Sequence, residues 1–167
     1  MSLFILPLTS AQQSTPNATL QGQNITGTAQ TSNLTGTAQT SNLTGTAQTG
    51  TAQADNLKGT AANDTIFGGA GFDNITGNDG NDEIDGGVGG DNILGEAGDD
   101  VIFGGIGNDN ISGGDGNDDL YGGPGADFMD GGSGSDHFDC GGSSDTISNL
   151  NISEGDIALP NCEKMTR

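Results

Sequence analysis

The sequence predicts an all-β fold, a parallel β-solenoid, and three observations carry that reading. A nine-residue unit, seen as GGAGFDNIT at Gly68 to Thr76, recurs without a register slip from Gly50 to Ser148. Its sixth position is aspartate in every copy and its eighth is apolar. The 167-residue chain is only 30% hydrophobic and 4% aromatic, too little for an ordinary globular core. A strict short period with one apolar seat per unit is the signature of stacked coils that bury a thin, continuous core.

Within each unit the glycine-rich half reads as a turn. Several of its residues must take positive φ or let backbones approach closely, and glycine does both at least steric cost. The last three residues, such as Asn74-Ile75-Thr76, are long enough for a minimal strand with its middle side chain inward. Two units complete one coil, so successive units alternate between two flanks. The eighth-position side chains Leu57, Ile66, Ile75, Ile84, Ile93, Ile102, Ile111, Leu120, Met129, Phe138 and Ile147 then face one another across the interior.

Taken in chain order, residues 1–20 form an N-terminal segment whose apolar run Leu3 to Leu8 and following Thr9-Ser10-Ala11 read as a remnant of an export signal. The run is short for that role and has no basic residue ahead of it. No stretch reaches the ~20 apolar residues of a membrane span. Residues 21–54 are a neutral Thr/Gln/Asn-rich array, GTAQTSNLT at Gly27 and again at Gly36, broken by a five-residue GTAQT at Gly45 to Thr49. Here Ser32 and Ser41 stand where the later units have aspartate, and the aliphatic eighth position is kept. This array therefore reads as the same fold without the acid. Residues 50–148 are the acidic array, and residues 149–167, which leave the period, are expected to cover its last edge as a cap.

Charge divides the chain the same way. There is no Asp, Glu, Lys or Arg from Met1 to Ala54, and the whole chain carries 23 acids against three bases, a net charge of -20. That sign excludes a nucleic-acid or anionic-membrane partner and makes metal cations the natural counter-charge. Cys140 and Cys162 are the only cysteines; joined, they would close a loop of about 23 residues and stabilise it by roughly 3 kcal/mol, the use an exported protein makes of such a pair. N-x-[ST] sequons place Asn24, Asn33, Asn42, Asn74 and Asn110 as candidate glycosylation sites on strand exteriors. His137, the single histidine, has no nucleophile partner and reads as a surface residue, so the chain is read as non-enzymatic.

The repeat itself suggests a ligand. Calcium is a hard cation that takes about six to eight oxygens, and a turn offering carbonyls plus one carboxylate supplies half of that shell. The turn stacked on it, two units away, supplies the rest. Asp64, Asp82, Asp100, Asp118 and Asp136 fall on one flank and Asp55, Asp73, Asp91, Asp109, Asp127 and Asp145 on the other. With coils about 4.8 Å apart, uncompensated stacked carboxylates repel, so folding is expected to depend on the cation.

On GGAGFD, GGVGGD, GGIGND, GGDGND, GGPGAD and GGSGSD, the chain resembles the repeats-in-toxin, or haemolysin-type, calcium-binding family. The resemblance implies a parallel β-roll in which Ca2+ is held by the sixth-position aspartates and by turn carbonyls. In this sequence those carbonyls are Gly68, Gly69 and Gly71; Gly86, Gly87 and Gly89; Gly104, Gly105 and Gly107; Gly113, Gly114 and Gly116; and Gly122, Gly123 and Gly125. Units at Gly59 and Cys140 lack the fourth-position glycine, which weakens the sites of Asp55, Asp64 and Asp145. The functional expectation is an exported, extracellular or cell-surface β-roll that stiffens on binding calcium. The alternatives are a calcium-dependent self-assembling homo-oligomer or filament subunit, and an ice- or glycan-binding solenoid using Thr28, Thr37, Thr51 and Thr60.

Overall fold

A computed structural model describes residues 24–26, 42–44, 47–162 and 164–165. The signal segment, Asn33, Thr28, Thr37 and most of the neutral array lie outside the described residues. Those that are described form two parallel sheets and no helix. The nine-stranded sheet stacks Asn24–Thr26, Asn42–Thr44, Asn56–Lys58, Asn74–Asp79, Asn92–Ala97, Asn110–Asp115, Phe128–Ser133, Thr146–Ser148 and Lys164–Met165. The seven-stranded sheet stacks Ala47–Thr49, Thr65–Ala70, Glu83–Val88, Val101–Ile106, Asp119–Tyr121, His137–Asp139 and Ile157–Ala158. The chain alternates between them, which is the two-unit coil expected from the period.

Register follows the repeat. Ile84 pairs with Ile66 below and Ile102 above, and Ile93 with Ile75 and Ile111. These side chains are at most 1% exposed, so a single file of aliphatics from each sheet makes the core. Such a column supplies far less burial than a globular interior of this length, and other contacts must hold the coils.

The strands are longer than the sequence implies. In the regular units they run six residues, through the eighth position and on into the glycines, as in Glu83–Val88. Pairing skips the first-position glycine: Asp85 pairs with Phe103 and Gly87 with Gly105, with Gly86 left as a corner. Without side chains in the way, the glycine segment bends and resumes the ladder instead of leaving it. The bend also needs left-handed backbone at the second position, which Asn78 (φ 78°) and Glu96 (φ 82°) supply without being glycine. An L-residue there costs about 1–2 kcal/mol, partly offset by the lower entropy of its unfolded chain. Glu96→Gly is thus expected to stabilise the protein by about 0.5–1 kcal/mol, read as a higher urea midpoint; an unchanged or lower midpoint would contradict the strain.

The described strands of the neutral array join the same architecture. Asn24–Thr26 and Asn42–Thr44 extend the nine-stranded sheet in register onto Asn56–Lys58. The five-residue fragment before Gly50 is not a truncated turn: Ala47-Gln48-Thr49 takes the strand positions against Thr65-Ile66-Phe67. Gln48 therefore occupies the aliphatic seat, 2% exposed, and its Nε2 donates to the Lys58 carbonyl at 2.5 Å. At the other end, Ile157–Ala158 and Lys164–Met165 each add a strand to one sheet, and a Cys140–Cys162 disulfide ties this segment to the last regular coil.

Candidate metal centre

The sixth-position aspartate immediately precedes each strand, directly after the tightest part of the turn. Its alternation with the inward eighth position places its side chain inside the coil. All eleven, Asp55 through Asp145, are at most 3% exposed. From Asp73 to Asp145, one oxygen of each carboxylate accepts a hydrogen bond from the coil before it. The peptide N–H of Asp55, Asp73, Asp91, Asp109 and Asp127 donates to Oδ1 of the aspartate eighteen residues on, at 2.8–2.9 Å. Asp64, Asp82, Asp100 and Asp118 do the same on the other flank at 2.8–3.0 Å. Two continuous carboxylate ladders run the length of the acidic array.

The second oxygen is where the ladders become chemically informative. Oδ2 of Asp73, Asp82, Asp91, Asp100, Asp109, Asp118, Asp127, Asp136 and Asp145 is buried and accepts no hydrogen bond. A buried, unmatched carboxylate oxygen is strongly unfavourable. It faces a void that only glycine keeps open: a methyl group built on Gly86 would stand 2.7 Å from Asp91 Oδ2 and 2.5 Å from the Gly104 carbonyl oxygen. At Gly104 the corresponding neighbours are Asp109 Oδ2 at 2.7 Å and the Gly122 carbonyl at 2.8 Å. A carboxylate oxygen that accepts no hydrogen bond and a carbonyl oxygen from the next coil thus stand close together, which is an environment for a cation.

Donor chemistry narrows the cation. Among the described residues no three His, Cys, Asp or Glu side chains converge on one point. An ion held in these turns would draw on few carboxylates and otherwise on backbone carbonyls, the all-oxygen shell suited to calcium and unsuited to zinc. The first-position carbonyls of the next coil lie near the carboxylates, on either side of the same glycine. The second-position carbonyls are partly engaged in the ladder, as with Gly123, which accepts from the Gly142 N–H at 3.1 Å. Fourth-position carbonyls abut the next coil, Gly89 against Gly107 and Gly107 against Gly125.

A family model for the RTX calcium-binding nonapeptide repeat (4 copies) matches residues 49–84, 58–93, 85–120, 103–138 and 112–147. The chain belongs to the RTX calcium-binding repeat family. It is a calcium-binding repeat protein with the β-roll fold. No curated protein and no solved structure matches it.

Within that RTX roll, burial pushes the ladder carboxyls upward. Asp73, Asp82, Asp91, Asp100 and Asp127 rise from 3.8 to about 6 and Asp118 to about 7, with neighbouring-rung carboxylates adding to the rise and the peptide N–H bond from the preceding rung opposing it. Asp109 and Asp136 are raised by burial as well.

The ladder is one rung longer than the period indicates. Asp136 N–H donates to Asp156 Oδ1 at 3.0 Å, across twenty residues instead of eighteen. Gly155-Asp156-Ile157-Ala158 keeps the glycine, acid and small apolar residue of a repeat, with Ala158 packed on the core; a two-residue insertion conceals it. Asp145, doubtful on sequence because Ser143 replaces glycine, sits in an intact turn, since Ser143 takes φ 109°. Of the acids outside the sixth position, Asp79, Glu83, Asp99, Asp115 and Asp119 are exposed and Asp85, Asp130 and Asp139 half-buried, and His137 Nδ1 lies 3.6 Å from Asp119 Oδ1.

The sequon asparagines Asn74 and Asn110 are exposed on the nine-stranded sheet, where their amides donate to Asn56 and Asn92 at 3.3 and 2.7 Å. Of the threonines in the ice- or glycan-binding alternative, Thr51 is buried and Thr60 half-buried, and their hydroxyls bond Asp55 and Asp64.

Proposed function

We propose that the chain is an exported, non-enzymatic β-roll that folds and stiffens when it meets extracellular calcium, with the sixth-position aspartates from Asp73 to Asp145 and first-position glycine carbonyls as its ligands. The row of buried Oδ2 atoms without a donor carries this reading. Leaving these anions unmatched in a low-dielectric interior opposes folding, and divalent cations remove that penalty, so binding and folding are coupled. The neutral strands Asn24–Thr26, Asn42–Thr44 and Ala47–Thr49 extend the roll without metal, and the segment after Ser148 closes its far end through the disulfide. In excess EGTA the β-sheet circular dichroism is expected to collapse and to return with millimolar calcium; a spectrum unchanged by EGTA would sink the proposal.

Protons compete for the same oxygens. Because the folded-state pKa values are raised, the carboxyls of the calcium-free roll favour the folded state below about pH 4 and lose that contribution as pH rises through 6–7. Calcium requires the ionised form, so its hold weakens in the opposite direction, as pH falls through that window. The calcium midpoint for folding is expected to move to higher concentration between pH 8 and pH 6, and a midpoint independent of pH would contradict it.

Calcium-dependent self-assembly is a second reading. Among the described residues the sheets end on Asn24–Thr26 and Ala47–Thr49, and an open parallel edge is a template for a further strand. Filaments in electron micrographs with calcium would support it; a strictly monomeric species would refute it.

A further inference from the structure

We propose that Thr51 and Thr60 take the place of a cation in the first two rungs, so that the metal-holding array starts at Asp73 and Asp82 and not at Asp55 and Asp64. The inference rests on the calcium reading above. Asp55 Oδ2 accepts from the Thr51 N–H at 2.6 Å and from its hydroxyl at 2.9 Å. Asp64 Oδ2 accepts from the Thr60 N–H at 2.5 Å and from its hydroxyl at 3.2 Å. The Oδ2 atoms from Asp73 to Asp145 have no such donors. Two donors on a buried carboxylate supply the positive potential that a cation supplies elsewhere, and their hydrogens fill the space and repel an incoming ion.

The cause is one residue at the second turn position. Every residue there from Gly69 to Gly141, including Asn78 and Glu96, has positive φ, whereas Thr51 and Thr60 do not. A β-branched side chain is excluded from the left-handed region, and the ordinary φ turns the threonine N–H into the coil toward the carboxylate. The displaced Gly59 carbonyl is met from outside by Asn78 Nδ2 at 2.8 Å. The far end of the ladder closes in the same manner without threonine: Asp156 Oδ2 accepts from the Asn151 N–H at 2.6 Å. The cation-requiring carboxylates are thus bracketed by rungs that complete themselves, which lets the roll splice onto neutral coils at one end and an irregular segment at the other.

Calcium counting on the full chain at saturation, by equilibrium dialysis at pH 8, tests this directly. Asp55→Asn, Asp64→Asn and Asp156→Asn are expected to leave the number of bound ions unchanged, while Asp100→Asn lowers it. Thr60→Gly, which removes the hydroxyl and admits positive φ, is expected to raise the count; Thr60→Ser, which retains both donors, leaves it as it was. A drop for Asp55→Asn or Asp64→Asn equal to that for Asp100→Asn, or no gain for Thr60→Gly, would overturn the inference while leaving the calcium reading standing. A wild-type chain that binds no calcium would end both.

Discussion

Gly104→Ala is expected to destabilise the calcium-loaded roll by about 3 kcal/mol and to lower its calcium count, whereas Gly142→Ala is expected to stay within about 0.5 kcal/mol of wild type. Both replace one hydrogen by a methyl group in a turn of the same repeat. At Gly104 that methyl meets Asp109 Oδ2 at 2.7 Å, the Gly122 carbonyl at 2.8 Å and Ile111 Cδ1 at 3.0 Å, while at Gly142 nothing lies within 4 Å. Two of the three Gly104 neighbours are the oxygens that face the void, and the third is a core side chain that is fully buried. Accommodation therefore requires coils to separate or a carboxylate to swing out of its ladder, and either movement breaks the bond from Asp91 N–H to Asp109 Oδ1. Urea unfolding with calcium present, paired with calcium counting, checks both arms. Equal stability for the two variants would mean that the first-position void is not a tight cradle.

The same contrast explains why so much of this fold is legible in sequence and where legibility ends. Stacking at a fixed interval converts a period directly into neighbours: Ile84 must lie on Ile66 and Ile102 because each is two units from the next. The acid ladder follows by the same arithmetic from Asp55 to Asp145. What the period does not contain is the hydrogen-bond state of each rung. Asp64 and Asp82 occupy the same position in their units, yet one carboxylate is completed by Thr60 and the other has an unmatched oxygen. The difference lies in a single φ at the preceding turn, where threonine was visible in the sequence only as a departure from glycine.

Two further features were obscured because the nine-residue spacing breaks at them. Gln48 is polar and follows a four-residue deletion, so nothing in its identity marks it for the core; pairing across the sheet puts it there. Asp156 is concealed by the opposite change, two extra residues that the loop Asn151 to Gly155 absorbs before the strand resumes. Strand length was misjudged for a physical reason as well: polyglycine reads as turn, but between close parallel neighbours it continues the ladder around a corner.

Removing the disulfide as Cys140→Ser with Cys162→Ser is expected to lower stability by about 3 kcal/mol and to release the C-terminal strands first. The bond spans a separation of 22 residues, long enough for its closure to restrict the unfolded chain substantially. The folded segment is otherwise held by short strand pairings and a few hydrogen bonds, among them Asn161 Nδ2 to Asp139 Oδ1 at 2.6 Å and the Ser135 hydroxyl to the Gly155 carbonyl at 3.1 Å. Ile157–Ala158 pairs through two residues, His137 with Ile157 and Phe138 with Ala158, and Lys164–Met165 through two more. Leu150 and Ala158 are the chief apolar contributions of this stretch, and both pack on a cluster that includes the two cysteines. If these strands detach, Asp136 loses the Asp156 carboxylate that accepts its N–H, and Phe138, now fully buried, becomes the exposed end of the core. Loss should therefore propagate inward from the C-terminal end, because each coil is stabilised mainly by its neighbours. Hydrogen exchange of the calcium-loaded double variant is expected to show protection falling at residues 137–158 and retained near Ile84 and Ile93; a uniform change along the roll, or a stability loss under 1 kcal/mol, would show that the disulfide does not anchor that end.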